Sequence, residues 1–169
     1  MAAIITDSGG FRYDTVDDET FEFAATMLDL GVNISDIYYR VFDFKTKAQF
    51  KLTAIASERL KFLNDGKIAL TYLTKEDFLK AKANIGDHEG IVNIGRNIEG
   101  VEVSIFIRED IDNTYKVSLR SNNYVNVADI AEVFNGGGHD KAAGLVSDLK
   151  LDNLIKQLVK ETVKKLWMV

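Results

Sequence analysis

"VADIAEVFNGGGHDKAAG", residues 127–144, is the stretch on which the fold of this chain turns. Its first part, with Asn126 ahead of it as a cap, predicts a short helix. Its last part opens "AAGLVS", Ala142–Ser147, which reads as a strand. Between them Gly136, Gly137 and Gly138 run into His139, one of only 2 histidines in 169 residues. A glycine triplet after a helix lets the backbone adopt positive φ and turn several N–H groups toward one point. Such a nest binds phosphate oxygens without a cationic side chain, and His139 adds a hydrogen-bond donor or, beside an anion, a charge. The plain alternative is a glycine-rich turn with an exposed histidine. Ala142 and Ala143 are small enough for the next segment to pass close behind the loop.

Upstream of this stretch the pattern is that of strands. "VEVSIFIRE" alternates Val101, Val103, Ile105 and Ile107 against Glu102, Ser104, Phe106 and Arg108, a period of two. "DIDNT" at 110–114 is a turn, and "YKVSLRS" returns with Tyr115, Val117 and Leu119 on one face and Lys116, Ser118 and Arg120 on the other. "KIALTYL" is a further buried strand, and "TKEDFLKAKA" a short helix capped by Thr74. Downstream, Leu151, Leu154, Ile155, Leu158, Val159, Val163 and Leu166 follow helical spacing without exception. Such a stripe belongs more often to a core than to an interface.

The first third reads differently. Ala2 to Thr6 looks like a buried strand directly at the start of the chain. Three helices follow: one opened by Thr15 with Asp18 and stopped by Gly31, one capped by Ser35, and one from about Thr46 to Asn64. The predicted fold class is therefore α/β: a C-terminal mixed β-sheet domain flanked by helices, preceded by a helical segment. The expected boundaries are 1–45, a linker helix over 46–64, and 65–169.

Composition narrows the function. The hydrophobic share of 46% and charged share of 28% are those of a globular protein rather than a disordered one. No run approaches the roughly 18 apolar residues of a membrane span, no basic-then-apolar leader is visible, and cysteine is absent, which rules out disulfides and thiolate metal sites. A cytoplasmic protein with no membrane partner is expected. The net charge of −5 argues against tight nonspecific duplex binding, but leaves room for a small positive pocket that grips one or two phosphates.

Three further groups are candidates. Arg120, in "SLRS", ends a strand on its polar face, where a guanidinium suits a bidentate grip on phosphate; an exposed strand arginine is the alternative. Arg96, in "NIGRNIEG", is a weaker case of the same kind. Asp7, in "TDSGG", places a carboxylate where α/β folds gather metal and phosphate ligands, and carboxylate oxygens suit Mg²⁺ or Mn²⁺. Asp87, His88 and Glu89 lie side by side in "GDHEG", and adjacent residues rarely converge on one ion, so a loop or cap role is expected of them.

Taken in order, "TDSGGFRY", "GDHEGIVNIGRNIEGVEVSIFIRE", "YKVSLRS" and "VADIAEVFNGGGHDKAAG" resemble the C-terminal part of a DHH-family phosphoesterase. The nearest branch comprises the small bacterial oligoribonucleases (nanoRNases) that also act as 3′-phosphoadenosine-5′-phosphate phosphatases. The resemblance runs nearly end to end. It implies two lobes joined by a helical linker: a DHH lobe with a two-Mn²⁺ centre, and a DHH-associated lobe that holds the substrate's terminal nucleotide and phosphate. On this resemblance Asp7 matches a metal-binding Asp, while Arg120, Ser121, Gly137, Gly138 and His139 match substrate-binding positions. Gly136 and Arg96 are kept beside them as binding candidates. Asp140 stands where the family often has Pro.

The upstream metal motifs and the Asp-His-His motif do not occur in these 169 residues. The expectation is accordingly a substrate-binding half lacking its DHH lobe, with no metal held stably by one carboxylate. Its substrates would be short oligoribonucleotides or 3′-phosphoadenosine 5′-phosphate. A cyclic-di-AMP or linear-dinucleotide phosphodiesterase and a non-catalytic nucleic-acid-binding module are the alternatives, and a homodimer is left open.

Overall fold

A computed structural model describes the chain except at residues 14, 15, 111, 112, 168 and 169. The cap expected at Thr15 and part of the turn expected over 110–114 lie outside the described residues. The chain forms two compact units, Met1–Lys45 and Thr46–Val169.

The first unit is helical: α1 (Ala2–Asp7), α2 (Asp18–Asp29), α3 (Ile34–Tyr38) and a π turn over Tyr39–Asp43. The strand expected over Ala2–Thr6 is a helix. Two alanines favour helix, only Ile5 of the run is buried, and Thr6 Oγ1 donates back to the Ala3 carbonyl at 2.8 Å. Local propensity wins because nothing among the described residues of this unit offers a strand to pair with. Asp17 caps α2, accepting from the Thr20 amide at 2.9 Å, and Gly31 follows its end at φ +80°. Asn33 rather than Ser35 caps the next helix, accepting from the Asp36 amide at 3.0 Å.

The second unit is an α/β sandwich. It opens with α4 (Lys47–Glu58), capped reciprocally by Thr46 and Gln49. The helix expected to reach Asn64 stops at Glu58. Asn64, Asp65 and Gly66 all adopt positive φ and fold β1 (Lys61–Leu63) back onto β2 (Ile68–Leu73). Two apolar runs around Asn-Asp-Gly form a hairpin, and the ladder claims residues that helical spacing alone had assigned to α4. Then come α5 (Lys75–Ala81), a 3₁₀ turn over Ile85–His88, α6 (Val92–Arg96), β3 (Val103–Glu109), β4 (Tyr115–Ser121), α7 (Val127–Glu132), β5 (Gly137–His139), β6 (Ala142–Ser147) and α8 (Leu151–Leu166).

The six strands lie in the order β1-β2-β3-β4-β6-β5. Only β2 and β3 run parallel, so the sheet is mixed, as expected. One face carries Ile68, Leu70, Val103, Ile105, Ile107, Val117, Leu119, Ala143 and Leu145, and it packs under α7 and α8 through Ile130, Leu154 and Leu158. The other face is covered at β2 and β3, where Leu73 and Phe106 meet Leu52 and Ala56 of α4 and Ile91 and Val92 beside α6. The central strand β3 is therefore buried on both faces, although its sequence alternates. Ser104, one of its buried polar residues, is satisfied: its Oγ donates to the Val92 carbonyl at 2.7 Å.

Leu158 is fully buried beneath the sheet. Leu158→Ala should lower the unfolding free energy by about 2–5 kcal/mol, with the cavity setting the value. The shift of the denaturant midpoint at unchanged m-value checks this.

Candidate functional site

On the second face the helices stop at β3. The far half, made by β4, β6 and β5, carries Lys116, Ser118 and Arg120, then Ala142, Gly144 and Val146, then Gly137 and His139. Residues directly opposite on paired strands share a face. Arg120 pairs with Ala142, and Ala142 pairs with His139. Strands lie about 4.8 Å apart, so Arg120 and His139 stand about 10 Å apart with a methyl group as the floor between them. In the next row Ser118 pairs with Gly144 and Gly144 with Gly137. The result is a shallow trough of small residues with a guanidinium on one wall and an exposed imidazole on the other.

The glycines do not form the nest expected of them. Gly137–His139 is a short edge strand hydrogen-bonded to β6, and the Gly136 amide closes α7 by donating to the Ala131 carbonyl at 2.9 Å. Two of the three are glycine for close packing. A Cβ on Gly136 would lie 2.4 Å from the Gly144 carbonyl oxygen, and one on Gly138 would lie 2.5 Å from Ala143 Cα with φ at +152°. Gly137 differs: a Cβ there meets nothing within 4 Å. The hairpin explains the first and third glycines, and the middle one borders open space in the trough.

Ser121 is not on this face. It is fully buried on the α7/α8 side, where Oγ donates to the Val125 carbonyl at 2.6 Å and lies 3.2 Å from the Asp140 carbonyl. Its odd place in the strand alternation turns it inward, so it sits beneath the trough rather than within it. It ties the end of β4 to the β5–β6 turn, as does the Val127 amide, which donates to Asp140 O at 2.9 Å. Arg96 ends α6 and reaches this edge through Asn122: its Nε donates to Asn122 Oδ1 at 3.3 Å, and Asn122 Nδ2 donates to the Arg96 carbonyl at 2.8 Å.

One residue escaped the sequence reading. Glu102 looked like an outward strand residue, yet it is 2 % exposed. Its carboxylate accepts from the amides of Tyr124 at 2.8 Å and Val125 at 2.9 Å, and from the amide and side chain of Asn123. Burial pushes the carboxyl pKa up, but the bonds from Val125, Asn123 and Tyr124 outweigh it and hold the group below the ordinary glutamate range. Glu102 thus fixes the turn that follows Arg120 and Ser121. The only sequence signal was an acid just before an apolar strand, which ordinarily means exposure.

Asp7 is exposed at the end of α1. Among the described residues no group of three or more His, Asp or Glu side chains could hold a metal ion. Asp87 behaves as a cap, accepting from the Asn84 amide at 2.7 Å and from Thr46 Oγ1 at 3.0 Å. His88 instead turns onto the Phe106 ring, with ring centroids 6.1 Å apart.

Comparison with known proteins decides the family. Residues 65–165 match the DHHA1 domain. The chain belongs to the DHHA1 family. The C-terminal part of a DHH-family phosphoesterase, which the sequence resembles, is what its relatives also point to. Over 167 residues it is 29% identical to the bifunctional oligoribonuclease and PAP phosphatase NrnA of Thermus thermophilus, covering 98% of this chain and 49% of that protein. The protein of the same name from Mycoplasma genitalium is 28% identical over 163 residues, covering 96% and 49%. A crystal structure of an exopolyphosphatase-related protein from Bacteroides fragilis superposes with a TM-score of 0.88 at 33% identity, over 95% of this chain and 47% of that one. The chain spans about half the length of the curated relatives it matches. Among the described residues no helix is long and apolar enough to cross a membrane.

Glu102→Gln should destabilise the DHHA1 unit by about 2–3 kcal/mol, since bonds to a charged acceptor are lost. The sign with pH follows from the lowered pKa. The contribution is complete above the unfolded glutamate value of about 4.3 and fades as pH falls through the folded value. Chemical denaturation at pH 7 and at pH 3 should therefore show a gap between wild type and variant that narrows in acid.

Proposed function

We propose that this chain is the substrate-binding half of a Mn²⁺-dependent cytoplasmic phosphoesterase acting on short oligoribonucleotides or 3′-phosphoadenosine 5′-phosphate. The row Arg120–Ala142–His139 carries the proposal. A terminal phosphate lies over the Ala142 floor, gripped by the guanidinium and hydrogen-bonded by the imidazole. The nucleoside extends across Gly137 and Ser118, where the absence of side-chain bulk leaves room. Gly136, Gly138, Ser121, Glu102 and Arg96 act at one remove, by holding β5 and the end of β4 in place.

The chemistry belongs to a DHH lobe. There two metal ions would activate water and stabilise the displaced oxygen. Asp7 is one ligand of such a centre on the family resemblance, and the described residues supply no set that completes it. The relatives with oligoribonuclease and PAP phosphatase activity in their names support this choice of substrates, as does a site built to hold phosphate rather than to read duplex grooves.

Binding of 3′-phosphoadenosine 5′-phosphate to the 169-residue chain, followed by calorimetry, tests this reading. Arg120→Ala should weaken binding by about 1.5–3 kcal/mol. Unchanged affinity would remove Arg120 from the site. Gly137→Val should leave stability within about 0.5 kcal/mol of wild type, since its side chain meets open space, while reducing affinity. Robust hydrolysis of a dinucleotide by this chain with Mn²⁺ would overturn the assignment of catalysis to another lobe.

A further inference from the structure

The trough does not end at Ser118. One row beyond, the same open face leads into a cleft of about 530 Å³ lined by His88, Phe106, Arg108, Lys116, Ser118 and Asn135, among others. Arg108 pairs with Lys116 across β3 and β4, so both stand on the face that carries Arg120. Arg120 and Lys116 lie four residues apart on one strand, about 13 Å at 3.3 Å per residue.

The cations lining the cleft are Arg108 and Lys116, and Asp110 beside it pairs with both. Asp110 lies between the cations, 3.1 Å from Arg108 Nη1 and 2.8 Å from Lys116 Nζ, so the trio keeps one net positive charge. Arg108 is only 5 % exposed, and its Nε has no hydrogen-bond partner among the described residues. A buried donor without a partner is costly and marks a place where a ligand or water completes the bonding. His88 and Phe134 supply half-buried rings, and the buried Phe106 stacks against His88. His88 Nδ1 bonds to the Ile85 carbonyl. Burial holds the imidazole below its ordinary pKa, with the Ile85 bond opposing and Arg108 reinforcing the effect, so the neutral ring leaves Nε2 as an acceptor. Cationic donors, ring faces, the hydroxyl of Ser118 and an acceptor together suit a phosphate with its attached base. A volume of this size holds one such unit.

We propose that this cleft is a second subsite, taking a phosphate and base further along an oligonucleotide whose terminal phosphate lies between Arg120 and His139. The inference rests on the terminal site described above and sets the length of chain that the surface recognises. At about 3.4 Å per stacked nucleotide, 13 Å corresponds to about four nucleotides, and to fewer when the strand is extended. A dinucleotide fills the trough at the Arg120 end without reaching Lys116. A hexanucleotide engages both ends, with Ser118 and Gly144 passing beneath it.

The test measures binding of 5′-phosphorylated di- and hexaribonucleotides to the 169-residue chain by fluorescence anisotropy over a range of salt. Wild type should bind the hexamer about five- to tenfold more tightly than the dimer. Lys116→Ala should remove most of that advantage and leave the dimer unchanged. It should also reduce the hexamer's salt slope by about 0.7 for each phosphate that the lysine no longer neutralises. Lys116→Glu, which reverses the charge at the far end, should have the same selective effect. Arg120→Ala should weaken both lengths. If Arg120→Ala weakens both while Lys116→Ala and Lys116→Glu weaken neither, the terminal site stands and the second subsite falls. If no oligonucleotide binds at all, both fall. Two molecules of AMP per chain, falling to one in Lys116→Ala, would make the cleft a free-nucleotide site and overturn the reading by length.

Discussion

Helices cover both faces of the sheet at β2 and β3 but only one face at β4, β6 and β5, and this asymmetry governs what the DHHA1 unit can do. The α7/α8 layer covers a continuous apolar core from Ile68 to Leu145. The second layer, built on Leu52, Ala56 and Phe106, stops halfway across. What remains is a rigid half-sheet open to solvent. Its residues are fixed by ladder bonds to neighbours that are themselves buried on their reverse side. The site proposed at Arg120 and His139 would lose little order on binding, because the backbone that carries both residues is already held by the ladder.

The open half avoids becoming a sticky apolar patch through its side chains. Small residues fill the middle, Ser118, Ala142, Gly144 and Gly137, and cations or imidazoles stand at the margins. Overall acidity, with a net charge of −5, coexists with this local positive surface. The combination suits short anionic ligands better than long duplexes, whose charged backbone meets the whole protein field.

Buried polar groups do the positioning. Glu102 gathers the amides of residues 123–125, and Ser121 ties Val125 to Asp140. Together they lock the end of β4 to the hairpin that presents His139. Each is satisfied by several bonds, which is how a buried carboxylate and a buried hydroxyl are tolerated. Removing one partner would leave the others desolvated, so the network behaves as a unit rather than as a sum of pairs.

By itself the sequence determined the strands β2, β3, β4 and β6, the helices α5, α7 and α8, and the family. These rest on local signals: alternation along residues 115–121, the helical stripe from Leu151 to Leu166, the caps at Thr74 and Asn126, and the glycine–histidine motif. Tertiary structure decided what local signals leave ambiguous. Ala2–Thr6 is apolar enough for a strand, but no described strand of its unit lies beside it, so propensity makes it a helix. The end of α4 yields to a hairpin because the ladder on β2 outweighs helical spacing. Gly137–His139 form an edge strand rather than a nest, and β6 lies against Gly136 and Gly138 at a distance no Cβ allows. Ser121 turns inward and His88 moves to the rim of a cleft for a common reason. A side chain's role is set by which surface the sheet buries, and coverage of a sheet is a property of the packed layers, which no single stretch of sequence encodes.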